Sequence, residues 1–466
     1  IRRIAELEKQ LKQRDERIAA LEKQVAELIK VNAELTDKVA KLSKNSSNSS
    51  KPPSSDPPSV AMQSPKKRRK KRGAKKGHAP HLKAMLPPEK VNRSCVIEPR
   101  ICPDCDGEHF VDRGEASLRD QFIDVPPIEI DVTEYIRPVR QCADCGALVY
   151  APLPKNAPKS CFGPGVLALV AVLTGVLNVS KRKATRVMND VFHVPMSLGG
   201  LSNCEQQIAN SLDASYDEVV EHIRKQEVAH ADETSWRRGY RDKGWLWTMC
   251  CVSAAAFMVH ARRSQTAARQ LLDQFVGVLV TDRWGGYNFY KGLRQICWAH
   301  LKRDFKAISE ADGRLGKIGG ELYDLATHFL RLRARVRDGT LKWQTFANRM
   351  VPLIEEVETL LQEGALHDGA LAGKCRRIFN QREHLWTFVE REDVDPTNNH
   401  AERVVRQGVL WRKSSFGTQS ERGARYVERV LTAGATCQLQ GRSVIEFMRE
   451  ACRCHVQNLP APSLIG

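Results

Sequence analysis

Between residues 228 and 282 the hydrophobic pattern fixes an order of elements that few folds accommodate. Residues 228–232, 245–252 and 256–260 carry the short apolar patterns of strands, and residues 265–275 have helical spacing. Residues 276–280 form an apolar strand that ends in Thr281 and Asp282. Acids therefore stand on the first strand, at Asp232, and at the end of the fourth, at Asp282.

Three strands, a helix and a fourth strand, with acids on the first and fourth, is the order of an RNase H-like domain. His230 and Asp232 lie two apart on a strand and face the same side. If the first and fourth strands are parallel neighbours, their carboxyl ends meet at one rim of the sheet, where ligands bind. Two carboxylates there suit a hard divalent ion such as Mg²⁺, which takes oxygen ligands. Glu233 would point to the opposite face and is not counted as a ligand.

A third acid would have to lie beyond a helical stretch, residues 322–335 and 343–361, that reads as an insertion. Glu402 is three residues after Asn399, and Pro396 precedes both, so by spacing alone Glu402 reads as the glutamate of a helix capping box. Arg406 is one turn further on the same face, in reach of a phosphate.

The rest of the chain is modular, as 466 residues require. Ile4, Leu11, Ile18, Val25 and Val39 alternate in a heptad with Leu7, Leu21, Leu28, Leu35 and Leu42, with Asn32 at one seam position and Arg14 weakening another. That pattern predicts a two-stranded parallel coiled coil over residues 1–42 and a homodimer, with an amphipathic helix packed on its own protein as the alternative. Residues 43–65, rich in Ser, Pro and Asn, read as a tether. The net charge is +18, and nine of the positive charges fall within residues 66–76. Lys66, Lys67, Arg68, Arg69, Lys70, Lys71 and Arg72 begin that run, which predicts phosphate-backbone binding; a localisation signal is the other reading.

Cys102 and Cys105, then Cys142 and Cys145, form two CxxC pairs flanking strand-like sequence at residues 128–136. Two such pairs predict one structural Zn²⁺ in a small β-rich module spanning residues 78–160, with Gly107 and Gly146 in the turns. Residues 161–225 read as helices, with a break near Pro195. Lys181, Arg182, Lys183 and Arg186 on the second helix leave a DNA-binding helix-turn-helix and a helical cover equally open. The apolar run 165–179 is too short to span a bilayer. With 14 cysteines and a basic balance, the expectation is a bacterial cytoplasmic, nucleoid-associated protein without a membrane partner.

From the heptads to the last helix the chain resembles the IS66 family of insertion-sequence transposases. The motifs are the heptad zipper, the paired CxxC, HisAlaAspGluThr at 230–234, ThrAspArgTrpGlyGlyTyr at 281–287, CysTrpAlaHisLeuLysArgAspPhe at 297–305 and AsnAsnHisAlaGluArgValValArg at 398–406. The resemblance implies that Asp232, Asp282 and Glu402 are a DDE triad holding two Mg²⁺ or Mn²⁺ ions. They would cleave double-stranded element ends and join them to target DNA, with small accessory proteins of the same element as partners. Where the family has Gly-Gln-Pro-Gly-His after the basic run, this chain has Gly73-Ala-Lys-Lys-Gly77-His78.

The expected architecture is multidomain α/β, with an RNase H-like core at residues 226–309 and 396–466 split by a helical insertion at 310–395. His230 and His300 are candidates for orienting the ligands or touching phosphate, as against packed or solvated histidines. Trp284 and Tyr287 read as core rather than base-stacking residues. Cys250 and Cys251 face opposite ways, and Cys452, Cys454 and His455 have no partners at finger spacing. Two other functions fit the same sequence: a catalytically silent DNA-binding regulator derived from a transposase, and an RNase H-like nuclease without strand transfer.

Overall fold

The computed structural model describes residues 2–42, 45, 84–111, 114, 118–154, 161–240 and 242–465. The basic run at 66–76 lies outside these, as do most of the tether and the departure from the family pattern at 73–78. The chain divides into two units, residues 63–131 on one hand and residues 1–62 with 132–466 on the other.

Helix α1 (Arg2–Leu42) is one uninterrupted helix of 41 residues, about 60 Å long at 1.5 Å per residue. Leu11, Ile18, Leu21, Val25, Leu28 and Leu35 all lie exposed along it.

Within residues 63–131, the Gln121 side chain accepts from the Leu86 N–H at 2.7 Å and donates to its carbonyl at 2.9 Å. The first CxxC forms a tight knuckle. Asp106 N–H donates to Cys102 O, and Cys102 N–H to Gly107 O. The left-handed residue of this turn is Asp106, with φ of 56°, rather than Gly107.

In the other unit, Cys142 N–H donates to Ala147 O and Gly146 N–H to Cys142 O, with Gly146 at φ of 73°. This knuckle closes a minimal hairpin of β1 (Arg140–Gln141) and β2 (Leu148–Val149). The expected β-rich module is thus corrected: among the described residues 128–136 belong to no strand, and these two strands of two residues are the only ones described between 84 and 154. Val132 and Ile136 stand mostly exposed, so no apolar face exists there to hold a sheet together.

The body is built on one five-stranded sheet. Its strands are β3 (Val228–Arg238), β4 (Asp242–Cys250), β5 (Ala255–His260), β6 (Val278–Thr281) and β7 (Arg294–Ile296), in the order β5-β4-β3-β6-β7. The first three form an antiparallel meander, whereas β6 runs parallel to β3 and β7 parallel to β6. Helix α6 (Gln265–Leu272) makes the crossover from β5 to β6, capped by the Ser264 hydroxyl accepting from Ala267 N–H.

Helices cover both faces. Residues 161–225 form α2 (Pro164–Val170), running on into a π-helical turn at Ala171–Val176, then α3 (Lys181–Asp190), α4 (Leu198–Ser211) and α5 (Asp213–Arg224). Leu167, Leu201 and Ile208 from this segment share an apolar core with Leu279 of the sheet and with Val430 and Met448 from the C-terminal helices. Those helices are α13 (Glu421–Leu439) and α14 (Val444–Val456).

Strand β5 is a sheet edge with N–H groups at alternate residues to satisfy. Thr436 Oγ1, Thr432 Oγ1 and Glu428 Oε1 accept from Ala255, Phe257 and Val259 N–H at 3.1, 3.0 and 2.7 Å. Four helical residues advance about 6 Å, near the rise of two strand residues, so acceptors four apart match donors two apart.

Between β7 and the final helices come α7 (Trp298–Ser309), α8 (Gly313–Arg337), α9 (Trp343–Ala365), α10 (Gly369–Phe379) and the short α11 (Thr387–Glu390). Val278 and Val280 of β6 enter the core of these helices with Trp298, Phe305, Phe329 and Phe388, while Leu279 faces the other core. Helix α12 (Asn399–Ser415) then returns to the sheet. It lies close enough that a Cβ on Gly408 would sit 2.1 Å from Leu246 Cδ2. Among the described residues no helix is long and apolar enough to cross a membrane.

Candidate active site

Asp232 sits on β3, Asp282 follows the last residue of β6, and Glu402 lies in the first turn of α12. Because β3 and β6 are parallel neighbours, their carboxyl ends share one rim, as strand order alone requires.

Four hydrogen bonds bring α12 to that rim. Cys297 N–H donates to Thr281 O at 2.9 Å, and Trp298 N–H to Pro396 O at 2.9 Å. Asn398 N–H donates to Cys297 Sγ at 3.1 Å, and Asn398 Nδ2 to Ala231 O at 2.8 Å. The ring joins the residue before Asp232, the residue before Asp282 and the residue one turn before Glu402.

Asn398 is buried, and its remaining acceptor, Oδ1, meets His230 Nδ1 at 3.2 Å. Burial, then the neighbouring His400, lowers the His230 pKa to about 4. The neutral ring therefore has one N–H, and the contact assigns it to Nδ1 as donor. His230 thus orients Asn398, and His400 adds a second tie through Cys251 O at 2.7 Å. Neither Asn398 nor His400 carries a sequence signal of this role; the helix-start residues by spacing are Pro396 and Asn399.

The capping-box reading of Glu402 is corrected by the same contacts. The helix begins at Asn399, the cap position is Asn398, and no side chain caps it. Glu402 is one place too far along for a capping box, and its carboxylate is left for other use. Glu402 Oε1 is a buried atom without a hydrogen-bond partner, as is His300 Nδ1. They lie 3.5 Å apart, with Arg303 Nη2 at 3.8 Å from the same oxygen.

The other two acids act on Asp232. Asp232 is held well above the ordinary carboxylate range, first by burial, then by the negative charges of Glu233, Asp282 and Glu402; the Glu233 N–H donated to its Oδ1 opposes this. Asp282 Oδ1 accepts from Trp284 N–H at 2.8 Å. Arg283 beside it pairs with Asp304 at 2.6 Å, and Lys374 pairs with the same carboxylate at 2.9 Å, which ties the loop to α7 and α10. Buried Arg294 on β7 has Asp282 as the carboxylate that favours its charge.

Glu233 is spoken for on the other face. Its carboxylate is 1% exposed and takes the Arg263 guanidinium and the Tyr287 hydroxyl, the latter at 2.8 Å. Trp284 and Tyr287 pack against Trp247, as expected of core residues. Arg263 lies over the Trp245 and Trp284 rings and reaches Asp282 Oδ2 at 3.8 Å. Arg406 is exposed on α12.

Among the described residues, the one group of three metal-type side chains with donor atoms all within 4.8 Å of one another is Cys297, His300 and Glu402, rather than the three acids. The site nonetheless fits divalent cations: Glu402 has an unpartnered buried oxygen, and the crowded charge on Asp232 calls for a cation.

Residues 159–426, more than half the chain, match the family described as Transposase IS66 family. The chain belongs to the IS66 transposase family. Residues 99–146, which contain both CxxC pairs, match the zinc-finger binding domain of transposase IS66, and residues 1–84 match a family of unknown function. Two relatives come from Sinorhizobium fredii. The uncharacterized protein y4qI is 24% identical over 429 residues, covering 84% of this chain and 76% of the relative. The uncharacterized protein y4hP is 24% identical over 396 residues, covering 76% and 70%. The chain is therefore a transposase with a zinc-binding region, built as a mixed α/β structure.

Two outcomes test the geometry. Asn398→Ala leaves Ala231 O and His230 Nδ1 without partners, at about 1–3 kcal/mol for each buried orphan. Urea unfolding should show a loss of roughly 2–6 kcal/mol, and an unchanged midpoint would contradict the ring. For Asp232, the folded state keeps a proton that the unfolded chain loses near 3.8. Stability of the ion-free protein therefore falls as pH rises from that value through the raised folded one. Asp232→Asn removes this penalty, so its ion-free melting temperature should exceed wild type by roughly 2–4 °C at pH 7, with the gap closing below pH 4. Equal melting temperatures at pH 7 would refute the crowding.

Proposed function

We propose that this transposase cleaves DNA at the ends of an insertion sequence and joins them to target DNA by a DDE two-metal mechanism. Asp232, Asp282 and Glu402 are the cation-holding residues. The observation that carries the reading is the hydrogen-bond ring through Asn398, which gathers the three acid-bearing elements at one sheet rim. The strand order, an antiparallel meander followed by two parallel strands, supports an RNase H-like core interrupted by the helices from α8 to α11.

Divalent cations, Mg²⁺ or Mn²⁺, would supply charge stabilisation at phosphorus and acidify the attacking water or 3′-hydroxyl. Asp232, half-buried and crowded by like charge, would give up its proton on holding a cation. Arg303 and exposed Arg406 are placed on the two helices that border the site, where guanidinium groups bind phosphate oxygens and orient the strand for in-line attack. His230 acts through Asn398 as a positioning residue rather than on the substrate.

The remaining modules serve recognition and assembly. Cys102, Cys105, Cys142 and Cys145 would hold structural zinc, each knuckle presenting its thiols from one turn. In both, backbone N–H groups hydrogen-bond to the first thiol and lower its pKa, which favours the thiolate that zinc needs. The basic residues 66–76 would track the phosphate backbone. The exposed apolar seam of α1 supports a homodimer through a two-stranded coiled coil, and small accessory proteins of the element remain proposed partners.

Asp232→Asn, Asp282→Asn and Glu402→Gln should each reduce cleavage of end-containing DNA with Mg²⁺ by at least about a thousandfold, with DNA binding retained in a salt-controlled titration. Wild-type cleavage by any one removes that residue from the triad. Replacing Cys102 and Cys142 together by Ser should release zinc, read by metal analysis, and weaken end binding. Zinc content unchanged in the double variant would refute the ligand set.

A further inference from the structure

We propose that His300 is itself a metal ligand, sharing a cation with Glu402, so that one of the two cation positions is a mixed nitrogen and oxygen site that favours Mn²⁺ over Mg²⁺. The inference rests on the reading of Glu402 as a cation-holding residue.

His300 is the third residue of α7, where backbone hydrogen bonds fix the helix start. Cys297 N–H is held by Thr281 O, Trp298 N–H by Pro396 O, and His300 N–H by Cys297 O. Its imidazole is thereby aimed at α12. Nδ1 faces Glu402 Oε1 at 3.5 Å, and both atoms are buried without a hydrogen-bond partner. Two buried polar atoms facing each other without a hydrogen bond are costly, and the Arg303 guanidinium at 3.8 Å from the same oxygen is too far to donate to it. A cation bound at about 2.0–2.2 Å to each would set nitrogen and oxygen roughly 3 to 3.5 Å apart, which is the spacing present.

Cys297 Sγ completes the group within 4.8 Å, but it already accepts the Asn398 N–H at 3.1 Å and is buried. It shapes the pocket as a neutral thiol, and the ligands are His300 and Glu402. Ligand type then sets the preference. Mg²⁺ takes oxygen and keeps its water, whereas imidazole suits the transition ions.

Pulsed electron paramagnetic resonance of Mn²⁺ bound to the full-length, zinc-loaded chain tests this. Nitrogen-14 modulation from a bound imidazole is expected. Labelling all histidines with nitrogen-15 should convert it to the nitrogen-15 pattern, an arm that needs no substitution and so carries no folding risk. The modulation should vanish in His300→Gln and persist in His230→Gln. Calorimetric titration should show Mn²⁺ affinity falling at least about tenfold in His300→Gln, with Mg²⁺ affinity changing much less. Bound Mn²⁺ without nitrogen modulation, or modulation that survives in His300→Gln, overturns the proposal. If Asp282→Asn weakens Mn²⁺ binding while the nitrogen signal is absent, only the role of His300 fails. If neither Asp282→Asn nor Glu402→Gln changes Mn²⁺ binding, the reading of the three acids fails with it.

Discussion

Asn398 is the residue on which the candidate active site turns. Its backbone N–H and its side-chain amide bind two different elements, the start of α7 through Cys297 Sγ and strand β3 through Ala231 O. A helix end normally uses its cap side chain on its own N–H groups. Here the side chain is spent on the sheet, and α12 begins without a side-chain cap. What the helix loses locally is offset by tertiary contacts: Gly408 admits Leu246, and His400 reaches Cys251 O.

From that anchor the electrostatics follow. Asp232 is placed where burial and three neighbouring carboxylates disfavour its charge. Cations close by are drawn mainly into other pairs: Arg263 to Glu233, Arg283 and Lys374 to Asp304. Glu402 Oε1 has His300 and Arg303 at 3.5 and 3.8 Å, beyond hydrogen-bond contact. The site thus gathers carboxylates whose nearest guanidinium groups, Arg263 at Asp282 and Arg303 at Glu402, stand 3.8 Å away, an arrangement that a divalent ion would complete. The same fold keeps the sheet edge closed, because Thr432, Thr436 and Glu428 occupy the N–H groups of β5.

Much of this was legible in the residues. The meander, the crossover helix and the strand ending at Asp282 follow from alternation and apolar runs, and both CxxC turns follow from spacing. Strand β7 was not legible, because it is three residues long and places Arg294 and Gln295 in the interior, where composition argues against a buried strand. Residues 128–136 failed in the opposite direction: their alternation is that of a strand, but among the described residues no strand pairs with them. Glu402 is the instructive case. Spacing from Asn399 mimics a cap, and only the tertiary use of Asn398 shifts the helix start by one residue and frees the carboxylate.

The central claim is that Asp232, Asp282 and Glu402 form one metal-dependent centre for strand joining. The most direct measurement incubates the purified full-length transposase with a labelled element end bearing a free 3′-hydroxyl and a supercoiled target plasmid, with Mg²⁺ or Mn²⁺. A covalently joined, labelled plasmid is expected, and it should be lost on chelation and in each single-acid variant. Labelled end degraded without joining, or joining that survives replacement of any of the three acids, would contradict it.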